Sequence, residues 1–191
     1  MSHGALLISV LFLLAPWMLA GLGDWLCHRH SLIERTSGPR ESALHLLLYL
    51  LIAVPAGLVL FLEVNAMLLL FMTGCVLAHA AASWWDSGFA QSRRHISALE
   101  QQVHGYQDML PLFALTLVLV LNWSALLRPD WGWSLRLEPL PAAWIWGVLL
   151  ALAAGLLLVL EELWRCLRSS ERQDRQPASQ SSARSEDATR I

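Results

Sequence analysis

Five apolar runs, at about 5–22, 43–62, 66–85, 109–127 and 140–160, alternate along the chain with shorter polar stretches. Each is long enough to cross a hydrocarbon core of about 30 Å at about 1.5 Å rise per residue. The pattern predicts an all-α, multi-pass membrane helical bundle with about five transmembrane helices. Only Met1, Ser2, His3 and Gly4 precede the first run. A cleavable signal peptide wants a positively charged start, so the first run predicts an uncleaved helix. Thr36, Ser37, Gly38 and Pro39 mark a turn before the second run, and Glu63, Val64 and Asn65 a tight turn before the third. Pro55 falls mid-span and predicts a kink.

Between the third and fourth runs, residues 87–108 are too polar to span. With the stripe Ile96, Leu99 and Val103 they predict an amphipathic helix lying at the interface. Asp108, followed three residues later by Pro111, reads as the cap that starts the fourth span. Residues 128–139, with Trp131 and Trp133, read as an interfacial loop. The transmembrane domain is expected to cover 1–165, and the Ser-, Arg- and Gln-rich residues 166–191 to form a disordered cytoplasmic tail.

Composition agrees with a membrane protein: 56% of the 191 residues are hydrophobic and 15% charged. All thirteen Lys+Arg positions are Arg, and the net charge of -2 provides no field for nucleic acid, so no nucleic-acid partner is expected. The three cysteines, Cys27, Cys75 and Cys166, are scattered without a CxxC and predict neither a disulfide framework nor a cysteine zinc site.

Five spans fix which polar positions share a membrane face. The ends of spans one, three and five and the starts of two and four lie together, and every histidine except His3 falls there. Arginines crowd the same side, with only Arg128 and Arg136 opposite. The positive-inside rule makes that side cytoplasmic. The expected location is the bacterial inner membrane, with the N-terminus periplasmic and the C-terminus cytoplasmic.

On that face the pairs Asp24/His28, Glu41/His45 and Glu100/His104 stand four residues apart, the spacing that puts both side chains on one helix face. His79 and Asp86, seven residues apart, also share a face. Imidazole nitrogen and carboxylate oxygen together suit iron, zinc and manganese. One ion needs about four protein ligands, so these eight residues are enough for one ion or two, with Glu100 as candidate catalytic base. His30, Glu34 and His95 are weaker candidates, and His95 falls on another helix face from Glu100 and His104. Tyr49, Ser83 and Arg94 are candidates for orienting the ligands, although Arg94, like Arg93, reads first as a membrane-proximal charge. Glu161 and Glu162 read as a solvated helix end.

Histidines and acids clustered on the cytoplasmic face of a small helical bundle resemble the membrane fatty-acid desaturases, hydroxylases and alkane monooxygenases, whose di-iron centres activate oxygen. This chain has no HxxxH box and places acids where those families place histidines. The segments Asp24–Arg29, Glu34–His45, Trp85-Asp86, Arg94 and Glu100–His104 are also similar to a group of uncharacterised bacterial inner-membrane proteins. The first resemblance implies a divalent metal, iron and two ions in the di-iron case, an oxidoreductase or hydroxylase acting on a lipid or other apolar substrate, and an external electron donor. A metal-dependent hydrolase of a lipid-linked substrate is the alternative. A non-enzymatic membrane metal-binding or scaffold protein is the third reading.

Overall fold

The computed structural model describes residues 3–127 and 131–188, with side chains described over 13–127 and 131–173. Within these residues the protein is helical, and its one β element is an isolated antiparallel bridge between Leu62 and Leu135. The helices are α1 (His3–Ser31), α2 (Pro39–Leu58), α3 (Ala66–Gln91), α4 (Ala98–Leu121), the short α5 (Trp123–Leu127) and α6 (Ala142–Ala188), with a 3-10 turn at Ile33–Arg35. Four of them, α2, α3, α4 and α6 over 142–173, are long and apolar enough to cross a membrane. The fifth long helix, α1, has 29 residues and carries the first apolar run.

Local chemistry explains where the helices start. Gly38, at φ 70, takes a conformation that an L side chain resists, and Pro39 then occupies the first turn of α2, where its missing N–H costs nothing. Asn65 caps α3 by accepting from the Leu68 N–H at 3.1 Å, and Ser97 caps α4 by accepting from the Glu100 N–H at 3.2 Å. At the other end of the bundle, the Arg136 guanidinium donates to the carbonyls of Val59 and Leu62. It satisfies acceptors that α2 leaves open at its C-terminus.

The five long helices close into a ring in which α1 packs on α4 and α6, α2 on α6 and α3, and α3 on α4. Packing inside the ring is apolar at one end. Trp17, Tyr49, Ala53, Val148 and Leu152 form its core, with Trp17 and Tyr49 stacked at 5.6 Å. The Tyr49 hydroxyl donates to the Leu152 carbonyl. Gly155 permits this approach, since a Cβ there would stand 2.8 Å from both Tyr49 Cε2 and Met18 Cε. At the other end the interior is polar, while leucines such as Leu70, Leu77, Leu150 and Leu157 face outward. A bundle with charged groups inside and large aliphatic side chains outside is arranged for lipid.

Three expectations need correction. Residues 87–108 are not one interfacial helix: 87–91 end α3, 92–97 connect, and 98–108 are the first three turns of α4. Their polarity misled because Glu100 and His104 face the ring interior rather than the membrane surface. The expected stripe is no face either, since Ile96 precedes the helix and Leu99 is 67% exposed. Asp108 is accordingly a mid-helix residue and not a cap. Finally, α6 does not stop near Leu160 but continues through 166–188, where a disordered tail was expected. Cys166 is fully buried there, and Arg165 pairs with Glu34 of the 3-10 turn, so packing holds the helix in the turn just past Leu160. Residues 189–191 of that tail lie outside the described residues.

Candidate metal centre

Each helix sends a seam of residues, spaced by three or four, into the ring. On α6 the seam is Val148, Leu152, Gly155, Val159, Glu162 and Cys166, and on α2 it includes Glu41, His45, Tyr49 and Ala53. Asp24 and His28 on α1, Asp86 on α3, and Glu100 and His104 on α4 arrive at the same level. Seven of the eight residues predicted as ligands therefore meet in one network.

Glu162 is its centre. One carboxylate oxygen accepts from His28 Nδ1 at 2.8 Å and the other from His45 Nδ1 at 2.7 Å. The two imidazoles lie parallel, with ring centres 4.4 Å apart and planes within 5°. A carboxylate only accepts, so Nδ1 is the donor in both rings and Nε2 carries the lone pair of each neutral imidazole. Neither Nε2 has a hydrogen-bond partner among the described residues, and neither does Asp24 Oδ1, although all three are buried.

The unpartnered atoms converge. His28 Nε2 is 3.4 Å from Asp24 Oδ1 and 3.3 Å from Glu100 Oε1, and His45 Nε2 is 3.3 Å from Asp86 Oδ2. His104 Nε2 lies 2.9 Å from Asp24 Oδ1. The His104–Asp24 contact has the length of a hydrogen bond, whereas the 3.3–3.4 Å gaps around His28 Nε2 and His45 Nε2 are longer than charge-assisted hydrogen bonds and close to the spacing of donor atoms about 2.0–2.1 Å from a tetrahedral ion. Asp24, His28, His45 and His104 offer four donor atoms mutually within 4.8 Å. The chemistry of the set fits a divalent ion of the iron, manganese or zinc type.

A second group, His28, Glu41 and Glu100, also meets the distance condition. Here the Arg94 guanidinium intervenes, reaching Glu41 Oε1 and Glu100 Oε1 at 2.5 Å each and Glu100 Oε2 at 3.0 Å. Its side chain is 3% exposed, so Arg94 is a buried counter-charge and not the membrane-proximal charge expected; Arg93 is exposed and stacks on Phe89. The network holds five buried carboxylates, of Asp24, Glu41, Asp86, Glu100 and Glu162, and Arg94 is paired with two of them, Glu41 and Glu100. Buried charge in such excess calls for another cation or for protons on the histidines.

No protein-family model, curated protein or solved structure matches this chain. What the centre does is therefore argued from its own atoms.

His79, the eighth predicted ligand, is not brought to the set. Its Nδ1 is 3.8 Å from Asp108 Oδ1, about two turns of α3 away from Asp86. Glu34 pairs with Arg165, while His30 and His95 are exposed. Glu162 was the residue that sequence reasoning missed. Its neighbour Glu161 does meet solvent, accepting from the Trp25 indole at 2.8 Å, but Glu162 is 2% exposed. The signal was present in the seam: stepping four, three, four and three from Val148 reaches Glu162.

The centre opens into a cleft. Trp17, Met18, Leu22 and Leu158 line its apolar side, while Asp24, His45, His104 and Asp86 lie at its polar end.

Proposed function

We propose that this chain is an integral inner-membrane enzyme, N-terminus periplasmic and C-terminus cytoplasmic, that uses one divalent ion to act on an amphiphilic, lipid-like substrate. The observation that carries this reading is the pair of buried Nε2 atoms on His28 and His45, oriented by Glu162, without hydrogen-bond partners among the described residues and grouped with donor atoms of Asp24 and His104 within 4.8 Å. Metal-bound imidazoles regularly donate their other nitrogen to a carboxylate, which fixes ring and tautomer, and Glu162 does this for two rings at once.

Arg94 supports one ion over two. Its guanidinium lies between Glu41 and Glu100, where a second ion would draw its ligands. The di-iron oxygen-activating reading is thereby disfavoured, and hydrolysis of a lipid-linked substrate is favoured. A divalent ion bound here supplies Lewis-acid activation of water and of a substrate oxygen. The protein's own groups do the rest. His28, His45, His104 and Asp24 hold the ion. Glu100, with both oxygens engaged by Arg94, is poorly placed as a base. Asp86 is better suited, because its Oδ1 is buried without a partner and it borders the cleft, within reach of a water entering there. The apolar wall of Trp17, Met18 and Leu22 holds an alkyl chain and keeps bulk water out.

Elemental mass spectrometry on protein purified in mild detergent without a histidine tag tests the reading. About one ion per chain is expected, as zinc, iron or manganese. About two irons would restore the di-iron oxidoreductase with its external electron donor. No stoichiometric metal after reconstitution would overturn the metal centre.

A further inference from the structure

His79 is the one predicted ligand that stands outside the network, and its surroundings have a character of their own. It lies inside α3 with its side chain 6% exposed, and no hydrogen bond to its ring exists among the described residues. Ser83, one turn along, donates to Asp108 Oδ2 at 2.9 Å. Asp108 Oδ1 remains, 3.8 Å from His79 Nδ1. Although Asp108 sits mid-way along α4, its side chain is 38% exposed, and the opening it meets is the cleft, which His79, Ser83 and Gln107 also line. Thus the α3 and α4 wall of the cleft stays polar past the metal set, opposite the apolar wall of Trp17, Met18 and Leu22.

Atoms 3.8 Å apart are too distant to hydrogen-bond each other, but one oxygen about 2.8 Å from each fits between them. The facing Asp108 carboxylate favours the tautomer with the ring proton on Nδ1, so that oxygen donates to the carboxylate and accepts from the His79 N–H. A hydroxyl does both, an ammonium has no acceptor, and a phosphate or carboxylate anion has no donor.

We propose that His79, Ser83 and Asp108 form a subsite for a hydroxyl group of the substrate's head. The inference deepens the enzyme reading above and rests on it. Asp108 follows His104 by one turn, about 6 Å along α4 from that ligand, and Ser83 precedes the candidate base Asp86 by three residues, about 4.5 Å along α3. The substrate is then an amphiphile with a free hydroxyl three to four bonds from the group that reacts, as in a glycerol- or sugar-headed lipid. Its chain lies on the apolar wall.

Two probes of equal chain length test this, 1-O-dodecylglycerol and dodecyl propyl ether, which lacks the hydroxyls. Each is titrated against the full-length protein in mild detergent and followed by native mass spectrometry, with metal content measured on the same samples. The wild type should prefer the glycerol ether by about tenfold, the worth of one net hydrogen bond. Asp108→Asn and His79→Ala should each reduce the preference to about twofold or less and leave metal content unchanged. No preference in the wild type, or a preference kept by both variants, would mean that the gap holds water only and would overturn the subsite. Loss of metal in Asp108→Asn would overturn it too, by placing Asp108 in the metal set. A wild type that shows the preference yet carries no metal would uphold the subsite and overturn the metal centre instead.

Discussion

Replacing Glu162 by Gln keeps the volume of the side chain and removes half of what it does. The carboxylate presents an acceptor to each of two imidazoles, at 2.7 and 2.8 Å. An amide presents one acceptor oxygen and one donor nitrogen, so only one Nδ1–H keeps its partner. The other ring must move its proton to Nε2, and that nitrogen then ceases to be a ligand. Loss of such an orienting carboxylate costs about 10–100-fold in metal affinity, or about 1.4–2.7 kcal/mol. Competition against a chromophoric chelator, on protein in detergent, reads the change directly. Glu161→Gln is the matched control, since its side chain is 33% exposed and its partners are Trp25, Arg29 and Arg165. It should bind metal within about twofold of the wild type. Equal affinity in Glu162→Gln and the wild type, or equal losses in the two variants, would refute the role given to Glu162.

Arg94→Ala should leave Glu41 and Glu100 buried without their counter-charge and destabilise the protein by about 3–5 kcal/mol, seen as a lower melting temperature. Excess divalent cation should reverse part of that loss and raise metal content above the wild-type value, because His28, Glu41 and Glu100 are then free to bind; a melting temperature indifferent to added metal would count against this. His79→Ala should retain full metal content by elemental analysis, and loss of the ion would return His79 to the ligand set. Gly155→Ala should lower thermal stability by about 1–3 kcal/mol through overlap with Tyr49 and Met18, whereas Gly147→Ala, which meets nothing within 4 Å, should be close to neutral. A reporter fused after Ile191 should behave as cytoplasmic, and a periplasmic response would invert the proposed orientation.

Much of the architecture is legible in hydropathy, because a span needs one long apolar run and a turn needs Asn, Gly or Pro. Gly38, Pro39 and Asn65 stand at helix starts in the structure as their chemistry suggests. The polar interior was harder to read, since hydropathy treats a polar stretch as solvated and cannot tell an inward face from an interface. Residues 98–108 were misplaced for that reason, and so was Glu162, whose immediate neighbour Glu161 is solvent-facing. The spacing of the α6 seam separates the two glutamates where composition does not. Arg94 was hidden differently: it lies in a connection without regular spacing, and only the pairing of α1 with α4 and of α2 with α3 brings Glu100 and Glu41 to it. Asp108 was taken for a cap because Pro111 follows it, yet α4 carries that proline in its interior.

The ring order has a consequence for how the protein is made. His28 and His45 belong to the first two helices, but the glutamate that orients both lies on α6, made after the other described helices. Until α6 inserts between α1 and α2, those imidazoles stand beside unpaired acids at membrane depth. The first four long helices without α6 therefore leave an open seam of charge, and α6 closes it.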